Sequence, residues 1–255
     1  MNILVTGAAG WTAQSILEAL YADGHTLVGF DLPTAQAPPA IAKLLADYHT
    51  GTMQSYDDVS ASMRDVDAVV HTAVAIGDGD YDTPDIPFAT NVRGTANLFE
   101  VARKQAIPPR IIVLSSATVH LNHTEPVDAR ENFALSKEGD FLYDLTKVLQ
   151  EDIARRYCET FAMTAIVLRL GHIVDGRTHR DPKGRDLADV TYNRGGWVCR
   201  YDVADAVTKA LVYDSGYDTF HVIGAYQAYD LFEIERTERL LGHTSKVNFS
   251  DYTTK

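Results

Sequence analysis

The chain has 255 residues, 45% hydrophobic and 23% charged, which suits an ordinary soluble globular protein and suffices for one large α/β domain or a core with a small lobe. A formal net charge of −12 argues against non-specific nucleic-acid binding and against adhesion to anionic membranes. No apolar run approaches the roughly 20 residues that a membrane-spanning helix needs, so no membrane partner is expected. The first strand starts almost at Met1, which leads us to expect no targeting segment and a cytoplasmic location. Two cysteines, Cys158 and Cys199, are too few for a disulfide framework and are expected as reduced thiols.

Short β-branched runs alternate with helix-length amphipathic segments, which predicts an α/β fold built on a doubly wound parallel sheet. NILVT, from Asn2 to Thr6, reads as a strand buried on both faces. A helix from Trp11 to Asp23 follows, closed by Gly24, and HTLVGFD is a second strand with Asp31 at its carboxyl end. Pro33 and the following APPA turn the chain into a loop. DAVVHTA, RIIVLSS and MTAIVLRL are further strands, and between them lie helices from Phe88 to Gln105 and from Tyr143 to Phe161. The last quarter holds a helix from Asp202 to Tyr213, the strand FHVIG and a helix from Leu231 to Leu241.

TGAAGWTA joins the first strand to the first helix. Gly7 permits the tight turn, and Gly10 lets backbone approach a pyrophosphate at the helix N-terminus, beside Ala9, Trp11 and Thr12. Ala13 stands where a third glycine would allow close helix–strand packing. Asp31 has the spacing of a carboxylate that accepts from a ribose 2′-hydroxyl and repels a 2′-phosphate, and neither Phe30 nor Leu32 supplies an arginine. The predicted cofactor is therefore NAD. Tyr143 and Lys147 stand four apart in FLYDLTKVLQEDIARRY, so they share one helix face. An ammonium near a phenol favours the phenolate and brings a group of pKa about 10 toward useful acid/base range.

Together these segments resemble the extended short-chain dehydrogenase/reductases of the NAD-dependent epimerase/dehydratase group, over nearly the whole chain. TGAAGWTA is similar to that family's TGxxGxxG turn, HTAVA to its HxAA strand end, and NVRGTANLFEVAR to its NxxGTxNLLEAAR helix. LSSATVH resembles SSxxVYG, YDLTK is the YxxxK pattern, and DVADA and FHVIG with LFEIERTERLLG resemble late landmarks. The resemblance implies a Rossmann fold with a small C-terminal substrate lobe: residues 1–170 as the NAD-binding core with the catalytic groups, and 171–255 as a lobe interleaved with the last core elements of one structural unit. It implies Ser116 as the hydroxyl that bonds the reacting oxygen, Tyr143 as the acid/base, and Lys147 as the group that holds the nicotinamide ribose and favours the tyrosinate. It also implies Ala73 and Ala75 beside the cofactor, Asn91 as a central-helix residue with a structural role, and a homodimer through the helices around Phe88–Gln105 and Tyr143–Phe161.

Departures from the pattern carry information. The family's adenine-side Asp is absent from His49-Thr-Gly-Thr-Met53, so Thr52 or Met53 must serve. Ala117 and Thr118 replace the Asp-Glu pair of dehydratases, which argues against dehydration. His172 follows LRLG where nucleotide-sugar enzymes carry RxxNxYGP, and little chain beyond Leu170 is left to hold a nucleoside diphosphate. From Gly171 to Trp197 the sequence is polar and glycine-rich, with Arg177, Arg180, Lys183, Arg185 and Arg194 against four Asp. It reads either as a solvated surface loop or as a substrate cover whose guanidinium groups clamp a carboxylate or phosphate. Thr118, His172, Arg177 and Arg180 are the candidate substrate contacts. His120 and His123 read as a polar loop pair, and no zinc-like spacing exists, so no metal is expected.

The leading reading is an NAD-dependent dehydrogenase acting on a secondary alcohol or hemiacetal of a small sugar, sugar acid or polyol, an anionic group being suggested by the cationic loop. The alternatives are an NAD-dependent sugar or nucleotide-sugar epimerase, which needs the same residues, and a non-catalytic dinucleotide sensor.

Overall fold

In the computed structural model, residues 1–77, 79–120, 127–130, 135, 141–190 and 196–252 are described. His123, Arg194 and the side chain of His120 lie outside the described residues. Seven strands form one parallel sheet in the order β3-β2-β1-β4-β5-β6-β9. They are β1 (Asn2–Thr6), β2 (Thr26–Asp31), β3 (Asp47–Thr50), β4 (Ala68–His71), β5 (Arg110–Ser116), β6 (Ala165–Leu170) and β9 (Tyr217–Val222). A separate parallel pair, β7 (His172–Val174) and β8 (Trp197–Cys199), lies between the sixth and seventh strands in sequence.

Alternation along β1 assigns each residue to a layer. Ile3 and Val5 pack with Ile16, Leu17 and Leu20 of α1 (Trp11–Ala22) and with Val203 and Val207 further along. Leu4, one residue out of phase, packs on the opposite face with Leu98, Phe99 and Ala154. Each of the fully buried Ile, Leu, Val and Phe side chains among these stabilises the fold by roughly 1.5–3 kcal/mol relative to exposure. The helices on that second face are α3 (Tyr56–Ser62), α5 (Gly94–Ala102) and α6 (Phe141–Phe161), while α7 (Arg200–Ala210) joins α1 on the first. Short helices α2 (Pro39–Ala42), α4 (Asp85–Pro87) and α8 (Ile234–Arg236) complete the set. Strand order reverses between β1 and β4, and a crevice opens at their carboxyl ends, where open α/β sheets bind ligands. Among the described residues no helix is long and apolar enough to cross a membrane.

Three expected elements take a different form. The helix expected from Phe88 to Gln105 is a π-helical turn, Phe88–Arg93, leading into α5. That wider turn carries Asn91, whose carbonyl accepts from the Thr95 hydroxyl at 2.6 Å. The helix expected from Leu231 to Leu241 is a 3-10 turn at Tyr226–Asp230, then α8, then a π-helical turn at Thr237–Leu241 ended by Gly242 at φ 71°. The polar segment from Gly171 to Trp197 is not wholly loop: β7 opens it, and its last residue begins β8.

Candidate active site

The turn after β1 is built from short backbone bonds. Gly7 N–H donates to Phe30 O at 2.8 Å and Gly10 N–H to Gly7 O at 2.9 Å. Gly7 adopts φ 71°, and a Cβ there would lie 2.9 Å from both Ala73 N and Thr72 Oγ1. The residue must be glycine for both reasons. Gly10 caps α1 without any side-chain hydrogen bond, so the first helical turn offers its backbone dipole to the crevice. Asp31 Oδ2 accepts from Ala9 N–H at 2.8 Å, which fixes the carboxylate against the same turn.

Behind the turn lies a sealed polar cluster. His71 is 1% exposed, with Nδ1 2.8 Å from Thr6 Oγ1 and Nε2 3.0 Å from Thr95 Oγ1. Burial, with the nearby Lys147 charge, pushes its pKa down to about 3, so the ring is neutral at physiological pH. Asn91, fully buried, accepts from Ala75 N–H at 2.9 Å and donates to Thr146 Oγ1 at 3.0 Å and to Tyr81 OH at 3.2 Å. It ties the stretch after β4 to α6.

Helix α6 carries Tyr143 and Lys147 on one face toward the end of β5. Lys147 Nζ donates to Leu114 O at 3.0 Å and stands 5.7 Å from the centre of the Tyr143 ring. Burial pushes the ammonium down to about 8, against the opposing attraction of the Glu151 carboxylate one turn on. Glu151 is itself held by Arg169, Nη2 to Oε2 at 2.5 Å, and accepts from Ser115 Oγ at 2.5 Å. Ser116 Oγ lies 2.8 Å from Thr118 Oγ1, which donates to Asp144 Oδ1 at 2.5 Å. The Tyr143 ring meets Tyr81 edge-on, centroids 5.5 Å apart.

One cleft of about 1180 Å³ gathers most of the residues singled out from sequence. Gly7, Ala9, Gly10, Trp11, Thr12, Asp31, Thr52, Met53, Ala73 and Ala75 line it, with Ser116, Thr118, Tyr143, Lys147 and His172. Thr52 N–H donates to Asp58 Oδ2 at 2.9 Å, and Met53 O accepts from Asn97 Nδ2 at 2.9 Å. Three candidates fall outside the lining. Asn91 sits behind it, Arg177 stacks 3.4 Å above the Tyr201 ring, and Arg180 Nη1 donates to Gly184 O at 3.2 Å. Besides Gly171, His172 and Ile173, the 171–197 segment reaches the cleft through Pro182 and Lys183, at a turn closed by Gly184 N–H to Asp181 O at 2.9 Å. Gln54, beyond the third strand, also lines the cleft, and its Nε2 donates to Thr90 Oγ1 at 3.3 Å. Sequence reasoning passed over Gln54 and Asp144 and counted Lys183 only among the loop cations; for Asp144, a carboxylate one residue after the tyrosine was the one available signal.

The model of the NAD dependent epimerase/dehydratase family matches residues 3–192. The chain belongs to this family. Among curated members it is 28% identical over 157 residues to a 3-beta-hydroxysteroid dehydrogenase of Mycolicibacterium neoaurum, covering 59% of this chain and 41% of that protein. It is 27% identical over 186 residues to a putative UDP-glucose 4-epimerase of Methanocaldococcus jannaschii, 71% of this chain and 58% of the other. It is 26% identical over 173 residues to a uronate dehydrogenase of Pseudomonas syringae pv. tomato, 67% of this chain and 58% of the other. The chain thus spans well under two thirds of each of these three relatives. A short-chain dehydrogenase/reductase superfamily protein from Agrobacterium tumefaciens, solved with bound NAD, has the same fold: TM-score 0.76 at 22% identity, over 96% of this chain and 93% of that one. The family is NAD-dependent, and its members here include epimerases and dehydrogenases.

Proposed function

We propose that this family member is an NAD-dependent oxidoreductase that oxidises a secondary alcohol or hemiacetal of a small sugar, sugar acid or polyol. The observation that carries this reading is that Tyr143, Lys147 and Ser116 line the same cleft as the Gly7–Thr12 turn and Asp31. The chain's residues fit NAD: the uncapped first turn of α1 and the glycine turn suit a pyrophosphate, and Asp31 suits a ribose with a free 2′-hydroxyl. With NAD bound, Thr52 and Met53 would hold the adenine end, Ala73 and Ala75 would flank the dinucleotide, and Lys147 would hold the nicotinamide ribose. When bound, NAD supplies the hydride acceptor.

The protein's own part is proton handling and orientation. Tyr143 takes the proton of the reacting hydroxyl, and the Lys147 charge favours the phenolate that accepts it. Ser116 orients the substrate. The β7–β8 pair and the turn at Pro182 and Lys183 bound the cleft on its substrate side. The kinship with a uronate dehydrogenase supports a sugar acid, with Lys183 the cation placed to meet a carboxylate. A homodimer through α5 and α6 is supported by Phe161, 47% exposed at the end of α6 with the Arg103 guanidinium over its ring. Light scattering tests it.

The deciding experiment is NADH absorbance after the protein and NAD meet a panel of free sugars, sugar acids, polyols and nucleotide sugars. Stoichiometric NADH with one free compound supports the dehydrogenase. No NADH, with interconversion of a sugar visible by NMR, overturns it in favour of an epimerase.

A further inference from the structure

Arg200 opens α7 and touches both the cofactor turn and the segment that carries Lys183. Its carbonyl accepts from the Ser15 hydroxyl at 3.0 Å, which fixes its backbone to α1, the helix that begins at the glycine turn. Its side chain is 13% exposed. Nη1 donates to Trp11 O at 3.3 Å, and the guanidinium stands 4.6 Å from the centre of the Trp11 ring. The same group places Nε 3.2 Å from Asp175 Oδ2 and donates through Nη2 to the Tyr201 hydroxyl at 2.9 Å. A planar guanidinium serves a carbonyl, a carboxylate, a hydroxyl and an indole together, which the point charge of an ammonium does not reproduce.

Asp175 is 4% exposed and closes the base of a loop. Its Oδ1 accepts from Arg177 N–H at 2.8 Å and Thr178 N–H at 3.0 Å, and its backbone exchanges two bonds with Arg180. Arg180 pairs in turn with Asp186. The backbone thus braces the base, whose position sets that of the tip, where Pro182 and Lys183 line the cleft. Arg177 and Thr178 stand outside the cleft lining.

We propose that Arg200 is a positioning residue that couples the cofactor turn to the 175–186 loop, so that NAD in the turn holds the loop base more firmly and sets Lys183 for the substrate. The coupling rests on NAD occupying the turn, as proposed above, and not on the identity of the substrate. Two physical links carry it. Trp11 is the first residue of α1, next to Gly10, so a pyrophosphate seated at that helix end fixes the residue that Arg200 grips. The pyrophosphate also brings negative charge near the guanidinium, which favours the cation staying at Trp11 with Asp175 attached.

Amide exchange followed by NMR on the full chain, with and without saturating NAD, tests this without turnover. The probes are the Arg177 and Thr178 amides, which lie at the loop base where direct contact with NAD does not reach. We expect NAD to slow their exchange at least about fivefold in the wild type. Arg200→Met keeps an apolar stem beside Trp11 without the charge and loses that response. Asp175→Asn keeps the oxygen that caps both amides but not the charge that holds Arg200, and it loses the response too. The double variant then behaves like either single one. A merely structural Arg200 gives another pattern, in which the variants exchange faster overall and NAD still slows them as in the wild type. That pattern overturns the coupling. Calorimetric titration with NAD measures occupancy separately in each protein. NAD bound to the wild type without any amide response overturns the coupling alone, whereas NAD that does not bind overturns the proposed cofactor site and the coupling with it. If Arg200→Met does not fold, Asp175→Asn decides by itself.

Discussion

Lys147 holds its ammonium 5.7 Å from the centre of the Tyr143 ring, at a depth where burial lowers its pKa to about 8. Its charge is therefore switched within an ordinary pH range. Tyr143→Phe is expected to lower kcat by at least about a hundredfold while leaving the NAD dissociation constant nearly intact. Full turnover by that variant would remove the acid/base assignment. Stopped-flow turnover and fluorescence titration with NADH measure the two quantities.

The same shift makes a stability prediction. Below pH 8 both folded and unfolded chains carry the Lys147 charge, and the burial penalty is fully present. Between about 8 and the ordinary value of 10.5 the folded chain has shed the proton and the unfolded chain still binds it. Stability therefore rises with pH across that window, by up to about 3 kcal/mol from this group. Urea unfolding at several pH values should show the rise in the wild type and a flatter profile in Lys147→Met.

His71 behaves in the opposite range. Its folded pKa of about 3 lies below the ordinary 6.5, so the unfolded chain alone takes up the proton between those values. Stability falls as pH drops from 6.5 toward 3, by up to about 5 kcal/mol. His71→Asn keeps polar atoms in the cluster without the titration, and a slope as steep as the wild type's in that range would assign acid lability to other groups.

Asp31→Ala should narrow the preference for NAD over NADP, because the carboxylate that repels a 2′-phosphate is gone. The Kd ratio measured by fluorescence quenching decides this. An unchanged ratio would mean that another residue reads the ribose.

Gly7→Ala combines a left-handed φ of 71° with a Cβ 2.9 Å from Ala73 N. The strain alone costs roughly 1–3 kcal/mol, and relief of the contact would displace the strand end after β4. Calorimetry should show a lowered melting temperature together with weakened NADH binding; a variant with wild-type affinity would show that the turn tolerates reshaping.

Much of the fold was legible because its signals are local. NILVT ends at Thr6 as expected, since a β-branched run buried on both faces leaves no other register. Tyr143 and Lys147 declared themselves through a helical offset of four, and Asp31 through its place after the second strand. The π-helical turn at Phe88–Arg93 was hidden, because it depends on tertiary bonds from Asn91 to Ala75 and Thr146. The three-residue strands β7 and β8 were hidden as well, each too short for a period to show. Among the loop cations, charge could be counted but direction could not. Arg177 is drawn away to Tyr201 and Arg185 to Asp181, while Lys183 at the turn's tip lines the cleft.

Trp11 lines the cleft, with the Arg200 guanidinium 4.6 Å from its ring centre. The other of the chain's two tryptophans, Trp197, is wholly buried between β7 and the aromatic rings of Phe249 and Tyr252. One indole thus borders the cofactor turn and the other is sealed within the structure. The protein carries a built-in optical pair: an emitter at the binding site whose light a reduced nicotinamide would absorb, and a shielded one that serves as internal reference. Occupancy could be followed by intrinsic emission without any label.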